Sequence, residues 1–172
     1  MLDEDATALR RAVVDLAPAD HQLVYSGRAA ETLPEADADP FRTPFAAVHD
    51  GQMIGYGVLD RSPLLLALLP VDPARTVLLR AFYLDLRFQG RGLGRAAIAG
   101  VGPLVQDLWT DVDHVTLTVN LTNVRAREAY LAAGFYDVGE RYAGGSAGPQ
   151  HVLHLTIPRR PPAPADRPPT DP

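Results

Sequence analysis

Near the middle of the chain an apolar run ends in Gln89-Gly90-Arg91-Gly92-Leu93-Gly94, and a helical pattern begins directly behind it. No other segment constrains the fold as strongly. Its three glycines permit a tight turn and a close approach of backbone to a ligand. The preceding run, residues 76–86, is apolar on both faces, which suits a covered central strand. The pattern that follows, residues 92–109, places Leu93, Ala97, Val101, Leu104 and Leu108 on one face. A helix opening on such a loop offers four orphan N–H groups and about half a positive elementary charge. Strand, loop and helix together make an anion cradle suited to a pyrophosphate, with Arg91 and Arg95 on its rim. A plain glycine-rich connection without a ligand fits the same pattern. A Rossmann dinucleotide loop does not, because its glycines follow the first strand as GxGxxG and a second nucleotide half comes after.

The rest of the chain reads as alternating elements. Residues 9–16, with Ala12, Val13, Val14 and Leu16, read as a first strand. Pro18-Ala19-Asp20 opens a short helical stretch to about Tyr25, and residues 28–38 read as a second helix in a region broken by Pro34, Pro40 and Pro44. Residues 45–49 and 52–59 read as strands. Asp50-Gly51 between them signals a type I′ hairpin, since both turn positions require positive φ. Residues 62–73 hold three prolines and read as a loop or strand end. The leucines within 64–69 are too many for an exposed loop and indicate a buried extension or a partner surface, such as a homodimer contact. Residues 114–119 form the next strand, 123–133 a helix capped by Gly134, and 135–142 and 151–157 the last two strands. The result is a mixed α/β sheet of about seven strands with helices on both faces. Pro103 inside the long helix costs about 3 kcal/mol if that helix stays straight. Gly100 and Gly102 supply slack, so one helix kinked between Ala99 and Pro103 is expected, with Trp109 returning toward the strand at His114.

Composition removes several classes of function. The 172 residues suit one domain, read as 1–157. Residues 158–172 carry seven of the sixteen prolines and read as a disordered, polyproline-like tail. There is no cysteine, so disulfides and thiol nucleophiles are excluded. All sixteen basic residues are arginine, which excludes a lysine Schiff base or a Walker lysine. The five histidines show no zinc spacing, and no metal is expected. A net charge of −5 argues against nucleic acid as a partner. No apolar stretch is long enough for a membrane span, and the acidic start is no secretory signal, so a cytoplasmic location is expected. The first forty residues hold nine acids against three arginines. Such an entrance attracts a cationic amine, or it is a solubilising surface.

With a strand before it and a helix behind, Gln89-x-x-Gly92-x-Gly94 resembles the acyl-CoA signature of the GNAT superfamily of N-acetyltransferases. Downstream, Asn123-x-x-Ala126-x-x-x-Tyr130-x-x-x-Gly134-Phe135 resembles that family's other hallmark. Residues 45–157 carry the resemblance. The stretch from Gln22 through the hairpin is similar, more weakly, to bacterial polyamine or diamine acetyltransferases. The resemblance implies acetyl-CoA as co-substrate, a small-molecule amine as acceptor, and an acyl-CoA N-acyltransferase fold. It implies that the backbone of Phe82, Tyr83 and Leu84 pairs with the pantetheine arm, and that one of those N–H groups steadies the oxyanion. Gln89, Gly90, Arg91, Gly92, Leu93, Gly94 and Arg95 would wrap the pyrophosphate, Asn123 would bond the arm, and Tyr130 would protonate the leaving thiolate. Asn123 also reads as a simple helix cap, and Tyr130 as a packed aromatic. Some family members carry a glutamate base on the fourth strand. Arg80 stands in that stretch here and would suit an acceptor carboxylate if it faces the pocket. Glu31, Glu140 and His151 are the other base candidates, with loss of the proton to solvent as the alternative. A non-catalytic acyl-CoA sensor of the same fold is the competing reading.

Overall fold

A computed structural model of the chain describes residues 4–145 and 147–158. Of the expected tail, residues 159–172 lie outside the described residues. The chain opens with helix α1 (Glu4–Val14), a 3-10 turn (Asp20–Gln22), and helices α2 (Leu23–Ser26) and α3 (Ala29–Ala38). Strands β1 (Arg42–His49) and β2 (Gln52–Asp60) follow, then helix α4 (Pro63–Leu66) and strand β3 (Thr76–Leu84). Helices α5 (Leu93–Ala99) and α6 (Val101–Leu108) lead to strand β4 (His114–Asn120), helix α7 (Val124–Ala132), and strands β5 (Tyr136–Tyr142) and β6 (Gln150–Thr156). One sheet forms in the order β1-β2-β3-β4-β6-β5. Only β3 and β4 run parallel; the other pairs are antiparallel.

The hairpin follows its turn chemistry. Asp50 (φ 48°) and Gly51 (φ 72°) both take positive φ and set His49 opposite Gln52. The β3–β4 pairing depends on burial instead: Val77, Leu79, Val115 and Leu117 pack with Ile98, Val101 and Val105 of α5 and α6 on one face. On the other face Tyr56, Val58 and Tyr83 pack against Val13, Leu16, Ala29, Leu33 and Ala36.

Three expectations are corrected. Residues 9–16 are not a strand. Val13 in α1 and Leu16 just past its end are buried against α3, while Leu9 and Val14 stay exposed. Arg10 ties the pair together by donating 3.0 and 2.7 Å bonds to Asp37. Among the described residues the sheet has six strands. The long helix is two helices that meet at Gly100, not one kinked helix. Pro103 has no N–H for the Ala99 carbonyl, and the ladder is interrupted there. Gly100 keeps right-handed geometry (φ −73°, ψ −15°), and Leu104 N–H reaches its carbonyl at 3.1 Å. Finally, residues 62–73 contain the short helix α4, with Pro63 in its first turn. Leu66 and Leu69 are buried against Leu78 and Val152, whereas Leu64 and Leu68 face outward.

Candidate active site

The central parallel pair does not stay closed. Thr76, Val77 and Leu78 pair with His114, Val115 and Thr116, and pairing stops there. Beyond Leu78 strand β3 follows β2, and beyond Thr116 strand β4 follows β6 to Asn120. The two backbones diverge and leave a cleft of about 360 Å³. Leu79 to Phe82 form one wall, Leu117 to Asn120 the other, and Asn123, Ala126 and Tyr130 close one end.

A bulge shapes the β3 wall. Tyr56 pairs with Tyr83 but Val58 with Arg80, so β3 has one residue more than β2. Ala81 absorbs it in the left-handed region (φ 52°). The bulge also changes which face each side chain takes: Leu79 and Phe82 pack on the helix α5–α6 side, Ala81 and Tyr83 on the α1–α3 side. Past the bulge, Asp85 N–H donates to the Ile54 carbonyl at 2.9 Å. Strand amides alternate in direction, so Tyr83 also turns its amide toward β2, while Phe82 and Leu84 turn theirs to the open side. The Leu84 carbonyl accepts a 2.9 Å bond from Gln89 Nε2. On that alternation Phe82 and Leu84 present their amides to the open side of β3, and Tyr83 presents its own to β2. The Tyr83 side chain is a brace: its hydroxyl donates to Leu16 O at 3.0 Å and accepts from Ala29 N–H at 2.9 Å.

Behind β3, Gly90 (φ 76°) and Gly92 (φ 78°) both require positive φ. Nothing lies within 4 Å of where a Cβ on either would stand. The loop therefore offers open space at its surface, and Gly92 caps α5. Leu93 is half-buried, and a Cβ on Gly94 would stand 3.6 Å from Leu84 Cδ1. Arg91 and Arg95 are exposed, and no described carboxylate pairs with either. The Gln89 side chain points back into the fold, donating to Gln22 Oε1 at 2.8 Å as well as to Leu84 O, and so ties the start of the loop to β3 and the Gln22 segment.

At the cleft's end the second hallmark appears as a helix with two caps. Asn123 Oδ1 accepts from Ala126 N–H at 3.4 Å, the capping role, and the residue also lines the cleft. At the other end Phe135 N–H donates to Tyr130 O and Gly134 N–H to Leu131 O, both at 3.1 Å, with Gly134 at φ 102°. This is a Schellman motif, and its hydrophobic contact is Tyr130 edge-on to Phe135 at 5.5 Å. The Tyr-x-x-x-Gly-Phe spacing is thus what fixes the ring of Tyr130 in the cleft wall. Its hydroxyl has no hydrogen-bond partner among the described residues, and burial raises its pKa well above the ordinary phenol value. At neutral pH it is a proton donor without an internal acceptor.

Glu31, Glu140 and His151 do not line the cleft. His151 Nδ1 instead lies 2.8 Å from Asp137 Oδ2. Among the described residues Glu35 is the carboxylate in the lining, and Asp37 and Asp39 are paired with Arg10 and Arg42. Asn120, which sequence reasoning missed, organises the β4 end. Its Oδ1 accepts from Thr122 N–H at 2.9 Å and its Nδ2 donates to Ala147 O at 2.6 Å. No sequence signal separates this asparagine from Asn123.

Comparison with known proteins agrees with this geometry. Residues 10–135 match the model of the acetyltransferase (GNAT) family. The chain is 30% identical over 124 residues to an uncharacterized N-acetyltransferase, YbbJ, of Bacillus subtilis, covering 72% of this chain and 76% of that one. It is 25% identical over 134 residues to a spermine/spermidine N(1)-acetyltransferase of the same organism, covering 76% and 84%. Its fold matches a crystal structure of the aminoglycoside acetyltransferase AAC(6')-Ib with coenzyme A, with TM-score 0.66, 20% identity and 91% of each chain covered. It also matches the ribosomal-protein-S18-alanine N-acetyltransferase of Escherichia coli, with TM-score 0.58, 17% identity and 94% of each chain covered. No helix among the described residues is long and apolar enough to cross a membrane. The family match over residues 10–135 and the N-acetyltransferase relative show the family, and the chain is a GNAT-family N-acetyltransferase that uses acetyl-CoA.

Proposed function

We propose that the chain transfers an acetyl group to a primary amine of a small molecule by direct attack on the thioester. The observation that carries this reading is the unpaired edge of β3 at the Ala81 bulge, with Tyr130 in the same cleft. Acetyl-CoA supplies an activated acetyl group. The glycine loop fits its pyrophosphate: Gly90 and Gly92 leave the loop surface open, and Arg91 and Arg95 have charge to spare. Phe82, in the cleft lining, and Leu84 beyond it offer amides on the open side of β3, as a further strand would need them. An N–H held rigidly at a developing oxyanion is worth about 2.7–4 kcal/mol in comparable enzymes. The amine nitrogen forms its bond to the acetyl carbon as the carbon–sulfur bond breaks. Tyr130 gives its proton to the departing sulfur and regains one from solvent. The amine's own proton passes to water, since no described carboxylate or imidazole except exposed Glu35 lines the cleft.

The test is a panel of amines with acetyl-CoA, followed by free-thiol release and by product mass. Acetylated product that depends on enzyme and amine supports the reading. Tight acetyl-CoA binding with no acetylation of any amine would favour a sensor and overturn it.

A further inference from the structure

Among the described residues, the sheet face beneath α1, α3 and α4 carries a cluster of charged side chains around Asp60. Asp60 ends β2 and is fully buried. Strand register sets Arg42 directly across from it on β1 and Leu78 across from it on β3, with Arg80 one alternate position further along. Arg42 Nε and Arg80 Nη1 donate to Asp60 Oδ2 at 3.1 and 3.0 Å, and Ser62 N–H donates to Oδ1 at 2.9 Å. The two arginines do not stand alike. Arg42 also pairs with Asp39 at 3.2 Å and Glu35 at 3.7 Å, so carboxylates surround it. Arg80 has Asp60 alone among the described residues. That contact uses one of the five guanidinium N–H donors. Its side chain is 41% exposed and lines the cleft, immediately before the bulge residue Ala81.

We infer that Arg80 is the residue that selects the acceptor, and that it does so by receiving a carboxylate carried on the same molecule as the amine. The acceptor is then of the amino-acid type. This rests on the acetyl-transfer reading above and specifies its second substrate. One buried carboxylate requires one cation; here it holds two, and the second keeps its free donors on the cleft side. Asp60 anchors one nitrogen of the Arg80 guanidinium in advance, which lowers the cost of ordering that fork on a ligand. A fork held this way matches a carboxylate in bidentate fashion. The position is also apt. Arg80 and Ala81 are sequence neighbours on the α1–α3 face, so an anion held by Arg80 leaves an amine on a short spacer near the bulge amides. A polycation would meet Arg80 as a like charge, which penalises that class.

The experiment uses matched pairs that differ only in the carboxylate: L-phenylalanine and phenethylamine, L-lysine and cadaverine, L-alanine and ethylamine. An amidated amino acid and a dipeptide complete the panel, the dipeptide separating a free amino acid from a chain terminus as the carboxylate's source. The readout is the ratio of kcat/KM for acid over amine. Losing a charged hydrogen-bond partner costs roughly tenfold to a hundredfold, so the best pair should favour the acid by about that factor. Arg80→Gln should reduce the ratio by about tenfold or more, and Arg80→Lys should restore part of it. A general loss of folding would lower both members of a pair and leave the ratio unmoved. Decarboxylated amines accepted as well as the acids, or a ratio unchanged in Arg80→Gln, would overturn the inference and leave acetyl transfer standing. Absence of acetyl-CoA binding in the wild-type chain would overturn the parent reading, and this inference with it.

Discussion

Replacing Tyr130 by phenylalanine removes one oxygen from the cleft wall and leaves the ring where it is. The side chain is buried at 9% exposure, and its packing comes from the ring, edge-on to Phe135 within the motif that ends α7. The hydroxyl has no described partner, so its loss orphans no other group, and the change in stability should stay within about 0.5 kcal/mol. The effect on rate should be of a different size. Burial raises the phenol's pKa and keeps it protonated, so it is poised as an acid. General-acid help is worth about 10²–10⁴-fold, or about 2.7–5.4 kcal/mol at 1.36 kcal/mol per decade. The assay has three arms on an accepted amine: kcat at saturating acetyl-CoA from thiol release, the acetyl-CoA Kd by calorimetry, and the thermal midpoint. The expected result is kcat lower by about a hundredfold, with Kd and midpoint near wild type. Because the raised pKa keeps the proton on Tyr130, the wild-type rate should show no alkaline fall at the ordinary phenol pKa of about 10. Wild-type kcat in the variant would refute the acid role and leave Tyr130 as packing alone.

Three further outcomes are expected. Gly92→Asp puts a carboxylate where the loop is open and demands φ 78° of a residue with a Cβ, so acetyl-CoA binding should be lost by calorimetry; retained micromolar affinity would count against the loop as the phosphate site. Gly55→Ala would place a Cβ 2.6 Å from Leu84 Cδ2 and 2.7 Å from the Tyr83 carbonyl. That overpacking against backbone should cost about 1–3 kcal/mol in denaturant unfolding, and an unchanged midpoint would show that β3 can yield. Asp137 is opposed in its charge by burial, but Gly139 N–H, Arg127 and His151 outweigh this and bring its pKa down to about 2. A depressed carboxylate pKa gives stability that is present above the unfolded value of about 3.9 and lost as pH falls through about 2. Urea midpoints should therefore fall between pH 4 and 2 in the wild type, and fall less steeply in Asp137→Asn.

What the chain order alone could determine is local chemistry with one solution. Asp50-Gly51 admits a primed turn because both positions need positive φ, and the hairpin forms there. Gly90 and Gly92 mark the loop for the same reason, and Asn123 and Gly134 mark the two ends of α7 because orphan backbone groups accept few partners. Other features were decided only when distant segments met. Residues 9–16 carry enough β-branched and apolar side chains to read as a strand. Up to Val14 they are helix, and the chain then turns, because α3 offers a surface for Val13 and Leu16, while β1 and β5 hold the outer places of the sheet. Gln89 belongs to a ligand motif by spacing, yet Gln22, sixty-seven residues away, claims its amide. The separation of β3 from β4 after three paired residues has no local signature, because it results from two neighbouring strands each holding its own side. The orientation of charge on the β3 wall of the cleft is likewise a tertiary product. Arg80 in sequence is one arginine among sixteen. Its meaning comes from Asp60, placed beside it by strand register and stripped of water by the fold around it, so that a surface charge becomes an oriented one.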